Sequence, residues 1–372
     1  MSAPLHGIFV LDFSTLLPGP LATLMLTEAG ADVIKVERPQ AGAEARKSPP
    51  LWDGDSLGFS LLNRGKKSLS IDLKAEGSVE KLKPLIEQAD IIVEQFRPGV
   101  MARLGLGYEA VKAINPDIIY CSITGYGQTG PKANAAGHDI NYMGDSGVLS
   151  TSYGPPDQPS IPPALIADVG GGTYPAVVNI LLALIERDKT GEGSYIDISM
   201  SDGAFAFSYW SFAKGAILDE PLVNGGERLT GGTPRYRLFP TSDGRQIAVG
   251  AIEQKFWDAF CDIINLDPTL RDDNINPAKT IQAVGDILKT RTAAEWEPIF
   301  TKADCCCTIV REMNEVLDDP HYNARGIFDW KIEGNNGATA TALPVPISPN
   351  FRASREKATR APELGADNNR LK

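Results

Sequence analysis

The 372-residue sequence lacks several features that mark large functional classes. It has no excess of basic residues: 36 Lys and Arg stand against 47 Asp and Glu, a formal net charge of −11. Nucleic-acid binding depends on clustered cations, so no nucleic-acid partner is expected. No apolar run follows a basic start, which argues against a signal peptide. The most apolar helical stretch, Tyr174 to Ile185, is too short to cross a bilayer, so no membrane partner is expected.

Cysteine and glycine motifs are missing as well. The five cysteines are Cys121, Cys261 and the consecutive Cys305, Cys306 and Cys307. Their number is odd and adjacent cysteines bridge badly, so they predict no disulfide framework. No Cys and His residues stand at metal-ligand spacing, and no metal is expected. The first strand is not followed by G-x-G-x-x-G, so NAD and FAD are not expected either. We therefore expect a reduced, cytoplasmic protein without a cofactor.

Strand and helix signals alternate through the first half of the chain. Short apolar, strand-like runs lie at 8–11, 33–36, 69–73, 91–93 and 118–120, with helical patterns at 21–29 and 75–89. This alternation predicts an α/β fold with a Rossmann-like, doubly wound parallel sheet. The predicted domains are a large one at 1–190, a helical connection at 191–225, a smaller α+β domain at 226–328 and a segment at 329–372 that returns to the large domain.

The second half predicts different elements. A long helix is expected at about 170–187, and an aromatic-rich, buried helix at 202–214. Two strands at 236–240 and 246–249 flank Ser242-Asp243-Gly244, which predicts a hairpin. Helices are expected at 254–264 and 293–300. The polar tail from Ala361 is expected to be loosely ordered.

The chain has only three histidines, so each can be considered separately. His6 and His321 occupy positions typical of structural or exposed histidines. His138 follows a loop rich in Gly, Pro, Asn and Ala after the strand ending near Ser122. Ligands of doubly wound sheets bind outside the carboxyl ends of strands, which makes His138 a candidate acid/base group. On pattern alone, a neutral packing role is the more common explanation for such a histidine.

Asp168 is a second candidate and precedes Gly170-Gly171-Gly172 and an apolar helix. An N-cap role would explain the aspartate by itself. The glycines add the possibility of a close ligand approach, and amides at a helix start, Gly170 and Gly171 here, suit a developing oxyanion. Glu253, at a strand-to-helix junction, is explained by favourable charge in a first helical turn. Asp139 could simply be an exposed carboxylate on a loop.

Basic residues recur beside three predicted strands. They stand in Glu37-Arg38-Pro39, in Asn63–Lys67, and in Phe96–Gly99 with Arg103. Each could be a solvated surface charge, as most Arg and Lys are. Three such loops on one edge of a sheet could also surround a single polyanion.

Over nearly its whole length the sequence resembles the α-methylacyl-CoA racemase branch of the family III CoA-transferase superfamily. The blocks that carry the resemblance are LLPGPLATLMLTEAGADVIKVERP, NRGKKSLSIDL, EQFRPGVMARLGLGYEAV, SITGYGQTGP, GHDINY, DVGGG, ERDKTGEGSYIDISMSDGA and GGTPRYRLFPTSDGRQIAVGAIEQKFW. The resemblance implies an interlocked homodimer acting on an acyl-CoA substrate. It also implies that coenzyme A, as part of the substrate, contacts Arg38, Ile71, Asp72, Leu73, Lys74, Gln95, Phe96, Arg97, Arg103, Gly137, Ile140, Asn141 and Tyr142.

The resemblance also gives roles to the acidic residues. In the racemases His138 and Asp168 would be opposed bases, Glu253 would hold the histidine, and Asp139 would be a supporting acid. In the transferases Asp168 would instead be a nucleophile, and no histidine is required. Because the chain keeps the whole GHDINY block, we expect epimerisation at the carbon beside the thioester carbonyl, with CoA transfer and non-catalytic acyl-CoA binding as alternatives. Asp145 departs from the pattern, since a small or apolar residue is usual there.

Overall fold

A computed structural model describes residues 3–353 and 358–371, which form two compact units. The first unit comprises Met1–Ser146, Ala164–Phe207 and Pro320–Lys372. The second comprises Gly147–Pro163 and Ser208–Asp319. Residues 147–163 therefore group with the second unit, although the sequence placed them in the large domain. The division between the units also falls within the predicted connection 191–225, after Phe207.

The first unit is built on a six-stranded sheet. The part of this unit that ends at Ser146 contains β1 (Phe9–Asp12), α1 (Pro18–Glu28), β2 (Asp32–Glu37), β3 (Leu51–Trp52), β4 (Asp55–Ser56), α2 (Leu57–Asn63), β5 (Lys67–Ser70), α3 (Ser78–Ile86), β6 (Ile91–Glu94), α4 (Val100–Arg103), α5 (Tyr108–Ile114), β7 (Ile119–Thr124) and α6 (Asp139–Asp145). After it follow α7 (Tyr174–Thr190), β8 (Ser194–Ser199) and α8 (Met200–Ala204).

The sheet order is β5-β2-β1-β6-β7-β8, and every neighbouring pair is parallel. The chain winds outward from β1 in one direction and from β6 in the other, so the order reverses between these two strands. The predicted α/β fold with a parallel sheet is confirmed. β8 was not predicted, because its alternating exposed and buried residues give a weaker signal than a fully buried strand. A crevice at a point of strand reversal is the usual ligand site of such a sheet.

Charged side chains inside the first unit fix the loop after β1. Asp12 accepts hydrogen bonds from the backbone amide and hydroxyl of Ser14, and Lys66 Nζ lies 3.1 Å from its carboxylate. Lys35 Nζ donates to the Ser14 carbonyl at 2.8 Å. Burial alone would raise the pKa of Asp12, but the two lysines and hydrogen bonds from Ser14 and Thr23 lower it. The loop that begins at Phe13 is thus held by a buried ion cluster.

The structure does not support the suggestion that the basic loop 63–67 helps to surround a polyanion. Of the predicted basic loop 63–67, Lys66 is buried against Asp12, Arg64 pairs with Glu28, and Lys67 pairs with Asp32. These cations neutralise carboxylates of the same unit, so the loop does not offer free charge to a polyanion. A buried lysine requires a buried partner, and the sequence does not show which residue supplies it.

The helical run around α7 is longer than predicted, because a π-helical segment, Ile166–Thr173, leads directly into it. The continuous stretch Ile166–Thr190 is 25 residues long and contains an 18-residue window with a mean hydropathy of 1.4, so by length and composition it could cross a bilayer. Half of that apolar window is buried inside the protein. The expected absence of a membrane partner stays a prediction.

The predicted helix at 202–214 is broken and exposed rather than continuous and buried. It consists of α8, a 3₁₀ turn at Phe205–Ser208, α9 (Tyr209–Phe212) and a π-helical turn at Ala213–Ile217. Large apolar side chains are exposed along this segment: Phe205, Phe207, Tyr209, Trp210 and Phe212. Aromatic content suggested burial, but burial depends on which neighbours cover the segment.

The second unit contains an antiparallel sheet packed on helices. Its further elements are β9 (Arg237–Pro240), β10 (Gln246–Val249), α10 (Gln254–Ile263), α11 (Pro277–Leu288), α12 (Ala293–Ala303), β11 (Cys307–Ile309) and α13 (Met313–Leu317). β9 and β10 pair antiparallel, which confirms the predicted hairpin. The core includes Trp257, Phe260 and Trp296, with Cys305 and Cys307, while Cys306 is exposed; all five cysteines are free thiols.

The C-terminal part belongs to the first unit and contains α14 (Pro320–Ala324), β12 (Lys331–Glu333), β13 (Thr339–Thr341) and β14 (Ala358–Arg360). The tail after Ala361 is ordered, contrary to the prediction. The Asp367 amide donates to the Ser68 carbonyl and the Asp367 carboxylate accepts from the Ser68 amide, both at 2.9 Å. The tail thus covers β5, the edge strand of the sheet.

Candidate active site

Two neighbouring cavities lie at the carboxyl ends of the strands in the first unit. The larger cavity has a volume of about 990 Å³, and the smaller cavity one of about 420 Å³. Loops after β1 and β6, between which the strand order reverses, contribute Phe13–Thr15 to the larger and Leu16 and Gln95–Pro98 to the smaller. Phe96 lines both cavities. This is where a doubly wound sheet is expected to bind its ligand.

The structure brings most predicted coenzyme A contacts to these two cavities. The larger cavity is lined by Arg38, Ile71, Asp72, Leu73, Lys74, Phe96 and Arg103. The smaller cavity is lined by Gln95, Phe96, Arg97, Gly137, His138, Asn141 and Tyr142. The remaining predicted contact, Ile140, is exposed and lines neither cavity. The larger cavity therefore gathers Arg38, Lys74 and Arg103 beside apolar walls, together with the carboxylates of Glu37, Glu44 and Asp72, and Glu44 lies 3.6 Å from Arg38. Cations beside an apolar wall suit a phosphorylated ligand with an organic body.

Glu94 orients the turn after β6 and is a site residue that no sequence motif indicated. The Phe96 amide donates to Glu94 Oε2 at 2.8 Å, and Glu94 also accepts a hydrogen bond from Ser122. Burial is the main reason that the pKa of Glu94 is raised to about 7. A glutamate at the end of an otherwise apolar strand, directly before a turn, is a signal that could have identified it.

His138 lies at the start of α6 and is exposed at the smaller cavity. Its backbone amide donates to Asn141 Oδ1 at 3.0 Å, which satisfies one of the free donors at the helix start. Tyr142, one turn further along, is buried, and its hydroxyl donates to the Gly137 carbonyl. The imidazole is therefore presented by a rigid helix start rather than by a free loop.

Asp139 and Asp168 lie side by side. Asp139 is buried, and its Oδ1 accepts a hydrogen bond of 2.9 Å from the Asp168 backbone amide. Asp168, half-buried, stands in the π-helical segment before α7. Burial and then the Asp139 charge raise the pKa of the Asp168 carboxyl to about 6, while nearby His138 partly lowers it. Asp139 is thus not an exposed loop carboxylate; it fixes the backbone that carries Asp168.

The glycines after Asp168 serve packing within the first unit. A Cβ at Gly170 would lie 2.3 Å from the Phe207 ring, and one at Gly171 would lie 2.3 Å from the Met200 carbonyl oxygen. The close approach that these glycines permit is therefore made by the 200–207 segment of the same chain. A role of their amides in holding an oxyanion stays a prediction.

Glu253 belongs to the second unit, where it is exposed and immediately precedes α10. After burial, its charge is the largest cause of the raised pKa of the Cys306 thiol. The position before Gln254 agrees with a favourable charge at a helix start. Its role as a partner of His138 stays a prediction.

Known proteins resemble this chain over almost its full length. The sequence profile of CoA-transferase family III matches residues 5–368. The human alpha-methylacyl-CoA racemase is 36% identical over 355 residues, covering 94% of this chain and 89% of the relative. The succinate–glutarate CoA-transferase of Agrobacterium fabrum is 33% identical, covering 92% and 89%. A crystal structure of a CAIB/BAIF family protein from Brucella suis superposes with a TM-score of 0.82 at 28% identity, covering 99% and 98%.

Proposed function

Because this chain belongs to CoA-transferase family III, we propose that it epimerises 2-methylacyl-CoA or related 2-substituted acyl-CoA thioesters. The single observation that carries the proposal is that His138, exposed at the smaller cavity, lies close enough to Asp168 to influence the pKa of its carboxyl, which burial and Asp139 raise to about 6. Asp168 itself is half-buried and is not part of the lining of either cavity. Proton transfer on two faces of one carbon requires two acid/base groups held near each other.

The proposed reaction proceeds through an enolate. One base removes the proton on the carbon beside the thioester carbonyl, and the electron pair moves into the carbonyl to leave negative charge on oxygen. The other group, protonated at the start, then gives its proton to the opposite face of the same carbon. His138 starts neutral and Asp168 protonated for one epimer, and the states are reversed for the other. Each positioned group contributes roughly 10²–10⁴-fold to the rate.

Asp139 supports this chemistry indirectly. Its charge helps to raise the pKa of Asp168, which brings protonation of that carboxyl closer to neutral pH. The larger cavity, with Arg38, Lys74 and Arg103, would hold the coenzyme A portion of the substrate. The thioester end would then extend past Phe96 into the smaller cavity.

The decisive test is exchange of the substrate α-proton with D₂O. The wild-type protein is expected to introduce deuterium beside the carbonyl of a 2-methylacyl-CoA and to interconvert its epimers, as followed by NMR and chiral chromatography. His138→Ala should lose at least about 10²-fold in rate, while coenzyme A binding, measured by calorimetry, is retained. Full exchange activity in that variant would show that His138 is not a base.

A second candidate function is CoA transfer, which the transferase relatives at 31–33% identity favour. In that reaction the Asp168 carboxylate attacks the thioester carbonyl, CoA thiolate leaves, and a mixed anhydride remains on the aspartate. Hydroxylamine added during turnover would then mark Asp168, as detected by mass spectrometry. Trapping together with transfer of CoA to an added carboxylic acid, and no deuterium at the α-carbon, would select this function instead.

We also propose a homodimer, since an apolar stripe runs along the outer face of α7. Tyr174, Val178, Leu181, Leu182 and Ile185 are between 39% and 57% exposed, and their spacing puts them on one helical face. The opposite face of α7 is buried in the first unit. A helix that is apolar on both faces needs a second covering surface, and another copy of the chain would provide it.

A further inference from the structure

The loop between β7 and α6, residues 125–138, forms one wall of the smaller cavity. Both ends of this loop close on the ring of Tyr142. A Cβ at Gly125 would lie 2.4 Å from that ring and a Cβ at Gly137 would lie 2.7 Å from it. The Tyr142 hydroxyl donates to the Gly137 carbonyl as well. The buried tyrosine therefore fixes where the loop begins and ends, but not its middle.

The middle of the loop is held by Asp145, at the end of α6. The Tyr126 hydroxyl donates to Asp145 Oδ2 at 2.6 Å, and Lys132 Nζ lies 2.8 Å from Asp145 Oδ1. Both carboxylate oxygens thus engage loop residues. Lys132 also lies 5.7 Å from the centre of the Tyr126 ring, which in turn packs edge-on against Tyr142 at 5.2 Å. We call these three residues, Asp145, Lys132 and Tyr126, the loop latch.

The protonation states support the geometry of the loop latch. Hydrogen bonds from Lys132 and Tyr126 lower the pKa of Asp145, so the carboxylate is charged at neutral pH. Burial and then the hydrogen bond to Asp145 raise the pKa of Tyr126 to about 12, so its hydroxyl is present as a donor. Each of the three groups is therefore in the state that its partners require.

We propose that Asp145 is a positioning residue that keeps the 125–138 loop closed against the smaller cavity and so sets the affinity for the acyl-CoA; this rests on the proposed function. Lys132 directly precedes Ala133, and the cavity lining continues through Ala135, Ala136 and Gly137 to His138. Releasing Lys132 frees this wall of the cavity.

The proposal is tested first without any assay of activity. Lys132 provides a trypsin site inside the loop, and limited digestion of the full-length protein measures how often the loop opens. Asp145→Asn is expected to speed cleavage after Lys132 about fivefold or more, because it removes the charge that both partners engage. Asp145→Glu should restore much of the protection, and Glu109→Gln, a change of an exposed carboxylate on α5, should leave cleavage unchanged.

Kinetics distinguish positioning from chemistry. In the α-proton exchange assay, Asp145→Asn and Lys132→Met are each expected to raise KM about five- to tenfold and to leave kcat within about twofold. The charge-swapped double variant Asp145→Lys with Lys132→Asp should recover part of the lost affinity. Lys132→Met serves as the second probe if the asparagine variant folds poorly.

Two results would overturn the proposal. The first is equal trypsin cleavage in the wild-type protein and Asp145→Asn. The second is a fall in kcat at unchanged KM, which would assign Asp145 to the chemical step. A wild-type protein without exchange activity would refute the proposed function alone, because the trypsin experiment would still decide whether the loop latch exists.

Discussion

The Asp168 carboxyl carries an electrostatic cost in the folded protein. It is half-buried beside another carboxylate, and both effects favour the protonated form. Because its pKa is raised to about 6 in the folded protein, from 3.8, folding is opposed by this group wherever it must be ionised. The site thus gives up stability to keep a carboxyl that accepts protons near neutral pH.

The sign of this effect gives a prediction for Asp168→Asn. Above pH 6 the wild-type carboxyl is charged in both the folded and the unfolded chain, so its full cost is present; the variant should then be more stable by about 1 kcal/mol. The advantage should decline as pH falls from about 6 towards 4, where the folded wild-type protein takes up a proton. Thermal unfolding from pH 8 to pH 4 measures it.

The matched control is Asp157→Asn, an exposed carboxylate of the second unit, which should leave the unfolding temperature nearly unchanged at every pH. A variant at position 168 that is less stable than the wild-type protein at pH 8 would contradict the assigned charge cost. The variant is expected to lose epimerisation in any case.

Single functional residues were predicted correctly where they belong to a sequence motif, and were missed where their role depends on their surroundings in the folded protein. His138 and Asp168 were selected from the blocks that surround them, and the structure places them close enough for their charges to interact. Glu94 was missed because it follows three apolar residues of β6 and belongs to no chemical motif. Lys66 was assigned to a polyanion because its buried partner, Asp12, lies 54 residues earlier in the chain.

The C-terminal segment shows how an element can depend on a partner far away in sequence. β5 is an edge strand, and its backbone amides would lack acceptors without the tail. The Ser68 amide donates to Asp367 and the Ser70 amide donates to Asn368 Oδ1 at 2.7 Å. A polar composition suggested loose order, yet these polar groups are the ones that an open sheet edge requires.

We therefore predict that Asp367→Ala destabilises the protein by about 1–2 kcal/mol, because the Ser68 amide loses its acceptor. Asp367→Asn keeps an oxygen acceptor and should cost less, which makes it the matched control. Urea unfolding followed by circular dichroism compares the two variants with the wild-type protein. Equal midpoints for all three would mean that the tail contributes nothing to the edge of the sheet.

At the scale of the element, local sequence patterns predicted five of the six parallel strands and the β9–β10 hairpin. It predicted the wrong state for residues 202–214, since aromatic residues look alike in a core helix and on an uncovered surface. The bounds of α7 also differ from the prediction, because the predicted start at residue 170 lies inside the π-helical segment Ile166–Thr173, which periodicity does not distinguish from an α-helix.

At the scale of the whole molecule, the apolar stripe of α7 is exposed, and we expect a second copy of the chain to cover it. Leu182→Lys puts a charge in the middle of the stripe, so dimerisation should weaken at least tenfold, about 1.4 kcal/mol. Sedimentation velocity at several protein concentrations measures the change. Glu109→Lys, a change of an exposed carboxylate on α5, should leave assembly intact. A monomeric wild-type protein at high concentration would refute the homodimer.

The sequence by itself determined the family, five of the six parallel strands of the α/β sheet, the hairpin of the second unit and the candidate acid/base residues, because each depends on residues that are close together in the chain. Tertiary structure alone decided that Asp139 holds the Asp168 amide, that Gly170 and Gly171 make room for the 200–207 segment, and that Asp145 reaches Lys132 and Tyr126. The reason is physical. Burial, hydrogen bonding and pKa depend on groups brought together from distant parts of the chain, and a local pattern carries no record of them.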